Sequence, residues 1–202
     1  HPISIKSLSH NYWSIITNRY FMLNSLIFCA TFSGMIAWIA MGPFLVIEKF
    51  HYSAITFGLF QALVFGSFII GSYFVRYGLE RFGVNKLISF AIALALVGTI
   101  FSVIIAIVLP EMLIYFIITL MIFTFANALA FGPLQRLAIE ASTAPMGARM
   151  AIFSTLMSSS GVLGSSLASI FYTGTSLPLA GIILVTAIMA CLLRYYAGNT
   201  RL

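Results

Sequence analysis

Six apolar stretches, each about 20 residues or longer, follow one another with short polar connections, and this pattern constrains the fold more than any other feature. They cover residues 21–47, 55–75, 87–109, 112–139, 148–171 and 177–195. A helix needs about 20 mainly apolar residues to cross the hydrocarbon core of a bilayer. Inside hydrocarbon every backbone N–H and C=O must be paired within the protein, which leaves helices or closed barrels. Barrel strands alternate apolar and polar residues over about ten positions. The present runs are longer and do not alternate, so they predict helices. Composition agrees: 7% of the residues are charged and 61% are hydrophobic, whereas a soluble domain carries about 25% charged residues. The expected architecture is an all-α membrane protein with six transmembrane helices. Residues 1–20 form a cytoplasmic N-terminal segment, 21–195 the bundle and 196–202 a cytoplasmic tail.

The charges set the expected orientation. Lys6 and Arg19 precede the first stretch, and Arg76, Arg81 and Lys86 lie between the second and third. Arg136 and Arg149 flank the connection between the fourth and fifth, and Arg194 and Arg201 follow the last. Lys49 alone falls in one of the remaining connections. Positive residues mark the cytoplasmic side, so an even number of crossings with both termini inside is predicted. The net charge of +6 is scattered rather than clustered, which argues against a nucleic-acid partner; the lipid bilayer is the partner that composition demands. Cys29 and Cys191 both sit in apolar runs and read as packing residues. Pro43 and Pro133, each after a glycine, predict bends near the ends of the two longest stretches. The sequence begins at His1 without an initiator Met, as a fragment would, and its first twenty residues lack the short apolar core of a cleavable signal peptide.

One short connection carries a local signal, Gly78-Leu79-Glu80-Arg81-Phe82-Gly83-Val84-Asn85-Lys86-Leu87. Gly83 permits a turn with positive φ, and Glu80 and Arg81 can pair with charges or helix ends nearby. Read alone, it is equally a generic positive-inside turn. It resembles the second copy of the loop signature of the major facilitator superfamily, Leu-x-Asp-Arg-x-Gly followed by basic residues. Glu80 replaces the Asp, and Val84-Asn85 thins the basic run. Residues 37–43, 58–66 and 134–137, then Ala141, Ser142 and Gly147, resemble in order and spacing the seventh, eighth and tenth spans and following loop of proton-driven multidrug exporters in that superfamily. The type is that of the multidrug facilitators (MdfA) or of Bcr/CflA, and the likeness extends from about Arg19 to Tyr195. It implies the C-terminal six-helix half of a twelve-helix drug/proton antiporter in the cell (inner) membrane. The partners implied are a missing N-terminal six-helix half, a small amphipathic or cationic substrate, and protons carried through that other half. A self-contained six-span channel or a non-transporting assembly subunit is the alternative.

Polar residues inside the apolar runs are the candidate binding residues. Gln61 is an amide in an apolar helix and must find a hydrogen bond, either with substrate or as an interhelical clasp. Phe65 lies one turn away on the same face. Asn127 raises the same question, whereas Asn24, near an interface, reads as structural. The fifth run contains Ser154, Thr155, Ser158, Ser159, Ser160, Gly161, Gly164, Ser165 and Ser166, and small residues let membrane helices approach closely. The resemblance implies that Ile36, Ile39, Gln61, Phe65, Ser154 and Ser158 line a cavity, and Asn127 is added on chemistry alone. It also implies a cytoplasmic gate or hinge at Gly78, Glu80, Arg81, Gly83 and Lys86, with Arg136 and Arg149. The family often has larger apolar residues at the two serine positions, which implies a wider or more polar cavity here. Glu48, Glu80, Glu111 and Glu140 all lie away from the middle of a run, and His1, His10 and His51 lie outside the runs. A proton relay needs an ionisable group at membrane depth, so this chain offers no coupling residue of its own. No catalytic triad, metal cluster or phosphate loop is present, so neither an enzyme nor a cofactor is expected.

Overall fold

The structure, a computed structural model, describes residues 5–199. His1 and Arg201 lie outside the described residues. Among these residues the only regular elements are helices: α1 (Ile5–Ile16), α2 (Arg19–Pro43), α3 (Ala54–Val108), α4 (Leu113–Glu140), α5 (Met146–Ile170) and α6 (Ser176–Asn199). Five helical segments are long and apolar enough to cross a membrane. The polar segment before residue 20 contains α1, which is pinned by the buried Ile15 while Trp13 stands exposed.

The two expected runs at 55–75 and 87–109 belong to one helical element of 55 residues, α3. The sequence between them contains no proline and only one residue with non-helical backbone angles, Gly83 at φ 74° and ψ 163°. That single residue reverses the chain. A Cβ on Gly78 would stand 2.7 Å from Leu87 Cδ1. Gly71 packs against Phe125 and Ala128, and Gly98 against Ile122 and Phe123, on neighbouring turns of α4. In a straight helix Gly71 and Gly98 would be about 40 Å apart. The arms 54–82 and 84–108 therefore lie side by side against α4. Positive φ costs a residue with a side chain on the order of 1–2 kcal/mol, which is why glycine occupies the turn.

Helix ends follow local chemistry. Asn18 accepts the Phe21 N–H at 3.0 Å and donates to Ala141 O at 2.8 Å, which caps α2 and ties it to the end of α4. Ser53 caps α3 by accepting the Thr56 N–H at 3.1 Å. At Pro43 α2 gives way to a π-helical segment, Phe44–Lys49, because proline cannot donate the hydrogen bond that an α-turn requires. At Pro133 α4 continues unbroken to Glu140. On the side opposite the Gly83 turn, Lys49 pairs with Glu111 at 3.4 Å. Nearby, burial and then the Glu48 carboxylate push the Tyr172 phenol up, so it stays neutral.

The core forms where α2 and α4 meet the other helices. Phe28 packs on Phe131 and Phe153, with ring centroids 4.4 and 4.9 Å apart. Gly164 of α5 lies against the backbone of Ser33 of α2 so closely that no Cβ fits. Between α3 and α4, the Ser67 and Thr124 hydroxyls lie 2.6 Å apart and stand 2.6 and 2.9 Å from the Val64 carbonyl, so their two protons serve these contacts between them. Hydroxyls that bond carbonyls across helices join the two elements without leaving a polar group unpaired in an apolar interior.

Candidate functional site

The Gln61 carbonyl accepts a hydrogen bond from the Trp38 indole N–H at 2.8 Å. Trp38 is buried at 2% exposure, and Gln61 is half-buried. The amide thus clasps α2 to the first arm of α3, and its NH₂ group faces away from that bond. The sequence leaves the clasp open beside substrate contact and does not single out its donor. A buried indole N–H needs an acceptor, and Gln61 is one of few side chains in the apolar runs able to supply one. Phe65 is half-buried against the same cluster of side chains as Trp38.

A set of half-buried aromatic rings lies nearby. Phe131 of α4 meets Phe32 of α2 at 6.2 Å and Phe68 of α3 at 5.6 Å. Ile36, also half-buried, approaches Gly161 of α5, and Ile39 is exposed. Phe32 and Phe68 carried no sequence signal, because Phe is abundant in every run. Ser154 and Ser158 are exposed on α5, as are Thr155 and Ser159. The hydroxyls of Ser154, Ser158 and Ser159 have no partner among the described residues. Asn127 behaves differently: it is 1% exposed, and its Nδ2 is buried without a hydrogen-bond partner. A buried unpaired amide donor costs about 1–3 kcal/mol, so Asn127 is a place where the bundle holds an unmet polar demand.

None of these candidate binding residues lines the groove of about 780 Å³ between α2, α5 and α6, whose walls are apolar. Ile36, Gln61 and Phe65 are half-buried, Ile39, Ser154 and Ser158 are exposed, and Asn127 is sealed inside the bundle.

The expected gate residues are dispersed into local contacts. Glu80 pairs with Arg76 at 2.9 Å, and Arg136 with Glu140 at 2.7 Å, each one turn apart. Arg81 donates to the Tyr77 hydroxyl. Arg149 donates to Ile139 O and, at 2.8 Å, to Ser142 O, so it closes the carbonyl end of α4. Gly78 and Gly83 shape the turn, and Lys86 stands exposed beside it. Arg194, which sequence reasoning treated only as a topology marker, binds Asn85 O at 2.8 Å and Ser89 Oγ at 3.1 Å and ties α6 to the second arm of α3. The structure does not bring Glu80 or Arg81 to Arg136 or Arg149.

No family model matches the chain. It is similar to the Multidrug transporter MdfA of Yersinia pestis, 24% identical over 170 residues that cover 84% of this chain and 42% of that protein. The Multidrug resistance protein MdtM of Escherichia coli O157:H7 is 24% identical over 146 residues, 72% of this chain and 36% of MdtM. The Chloramphenicol resistance protein CraA of Acinetobacter baumannii is 21% identical over 165 residues, 79% of this chain and 40% of CraA. The chain thus spans about two-fifths of the length of the curated relatives it matches. With its apolar helices and the motif order of its sequence, these matches make it a multi-pass membrane protein homologous to the multidrug transporters of the major facilitator superfamily.

Proposed function

We propose that this chain is the C-terminal six-crossing half of a drug/proton antiporter that exports small amphipathic or cationic compounds by alternating access. Both ends lie in the cytoplasm, and each arm of α3 crosses the membrane once. Export requires a second half, absent here, that rocks against this one around a site near the membrane midplane. That half also carries the coupling carboxylates, since all four glutamates of this chain lie away from the middle of its apolar runs.

The observation that carries the proposal is the open face. Ser154, Thr155, Ser158 and Ser159 point outward from a helix apolar enough to cross a membrane. Hydrocarbon would reward apolar side chains there, so hydroxyls suit a water-filled cavity or a protein partner better than lipid. The half-buried Phe32, Phe68 and Phe131 adjoin this face, and the Gln61 NH₂ group adds a donor. Drug-sized sites are built in this way, mostly apolar with a few placed polar groups. Ile36, Ile39, Phe65, Ser154 and Ser158 would form one wall of the site, and Asn127 would meet substrate only if α4 shifts to uncover it.

The test is drug-dependent proton flux in proteoliposomes. Residues 1–202 alone should give none, and the intact protein should give flux that responds to substitutions on the open face. Coupled flux from residues 1–202 alone would overturn the half-transporter reading. Orientation is checked with single cysteines. Probes near Arg81 and Arg149 should label from the cytoplasm and one near Ser176 from outside, and labelling of Arg81 and Ser176 from the same side would refute six crossings.

A further inference from the structure

We infer that the cleft beside the Gly83 turn is a binding site for an anionic phospholipid of the cytoplasmic leaflet, with its phosphate at Arg81 and Lys86 and one acyl chain between the arms of α3. The inference rests on the orientation proposed above. The cleft encloses about 420 Å³ and is lined mainly by Phe74, Tyr77, Phe82, Lys86, Phe90 and Phe125. At its floor the two arms meet closely, and a Cβ on Gly78 would stand 2.7 Å from Leu87 Cδ1. From Phe82 to Phe74 the wall runs about 12 Å along the helix, close to the roughly 15 Å depth of one leaflet's hydrocarbon. Phe74, Tyr77, Phe82 and Phe90 are each more than half exposed, so nothing in the described bundle covers them.

Charge selects the headgroup. Lys86 lines the cleft and Arg81 stands over its aromatic wall, while Glu80, the one carboxylate of this turn, is paired with Arg76. Arg81 is held 5.8 Å from the ring centroids of both Tyr77 and Phe82, so its guanidinium sits above the aromatic wall with donors to spare. Lys86 has no hydrogen-bond or ion-pair partner among the described residues. Two uncompensated cations at the mouth of an aromatic cleft, level with the headgroups, match a phosphate that carries a net negative charge and an attached chain. A free phosphate would use only the mouth, and a neutral lipid only the cleft. Basic residues between membrane helices on the cytoplasmic side select anionic lipids in this way.

The experiment is native mass spectrometry of the intact protein in detergent, titrated with phosphatidylglycerol or phosphatidylcholine. Phosphatidylglycerol should be retained roughly tenfold or more in preference to phosphatidylcholine, as expected for two basic residues at the surface. Arg81→Ala with Lys86→Ala, both on exposed side chains, should bring the two lipids level, and sn-glycerol 3-phosphate should not displace the bound lipid. Gly78→Ala, which forces the cleft-lining Leu87 to shift, should weaken retention of both lipids. Equal retention by the unsubstituted protein, or a preference that survives the double substitution, overturns the site. Displacement by sn-glycerol 3-phosphate reduces it to an anion site and equally overturns it. If Phe90→Cys is shielded from a membrane-permeant maleimide alike in lipid discs of either composition, the remainder of the transporter covers the cleft and the inference fails. The cysteine labelling near Arg81 and Ser176 keeps the outcomes apart: correct labelling with no lipid preference fails this site alone.

Discussion

α4 and α5 are both long apolar helices, yet α4 buries 67% of its most apolar stretch and α5 only 17%. α4 is surrounded by α2 and both arms of α3, and it contributes Phe123, Ala126, Asn127 and Leu134 to the interior. α5 touches the bundle mainly through Phe153, Gly161, Gly164 and Ala168 and leaves its serines facing outward. One helix is committed to the fold of this chain, and the other presents most of its surface to something outside it. Identical substitutions should therefore behave differently in the two regions.

The largest effect is expected where α5 does meet the core. Gly164→Leu forces a side chain against the Ser33 backbone, which cannot yield as a flexible side chain could. A cost of about 3 kcal/mol or more is expected, read as a large fall in thermal stability or loss of folded protein. Gly181→Ala, with open space around it, should be neutral or stabilising by up to about 1 kcal/mol. A mild Gly164→Leu would mean that α5 is not docked on α2 as described.

Next comes Gln61→Leu. It removes the acceptor of the Trp38 N–H and leaves a buried donor unpaired, at about 1–3 kcal/mol. Combining it with Trp38→Phe should cost less than the sum of the two single substitutions, because the lost bond is then counted once. Thermal unfolding and binding of several drugs by the intact protein separate two roles. Lower stability with an unchanged ranking of drugs assigns the amide to the clasp alone, and a changed ranking shows that its NH₂ group also reaches substrate.

A matched pair sharpens the comparison further. Ser67→Ala deletes a hydroxyl shared between helices and should cost about 0.6–1.7 kcal/mol. Ser158→Ala makes the same chemical change on the open face and should stay within about 0.5 kcal/mol. Equal costs would show that the face is packed in the intact protein.

The smallest stability change is expected for Ser154→Leu. It should leave unfolding within about 0.5 kcal/mol while altering drug-dependent proton flux in the intact protein. Unaltered flux for all drugs tested would remove Ser154 from the wall.

Much of this was legible beforehand. Run length and scarce charge gave helices that cross a membrane, and the Gly83 turn was visible as a glycine among basic residues. The likeness to multidrug exporters was legible from the order of modest motifs, none sufficient alone. The fate of the polar residues was less accessible. Asn127 and Ser154 looked similar as polar groups in apolar helices, yet one is sealed with an unpaired Nδ2 and the other is open. Of the five charged positions expected to form a gate, Glu80, Arg81 and Arg136 each found a partner four residues away on the same helix, because a long charged side chain reaches its own helix readily; Arg149 reached the end of α4, and Lys86 has no hydrogen-bond or ion-pair partner among the described residues.

The sequence by itself determined the solvent, the long apolar helices, the Gly83 turn and the distribution of charge, because these depend on the composition and length of each run. Only the tertiary structure decided which way each helix faces. In a soluble helix the polar stripe marks the outside. These helices are apolar almost all round, so no periodicity fixes their rotation. Close contacts fix it instead: Gly164 on Ser33, Gly71 on Ala128, and the Trp38 indole on Gln61. Those contacts join residues far apart in the chain, and their geometry turned Asn127 inward and left Ser154 and Ser158 on the open face.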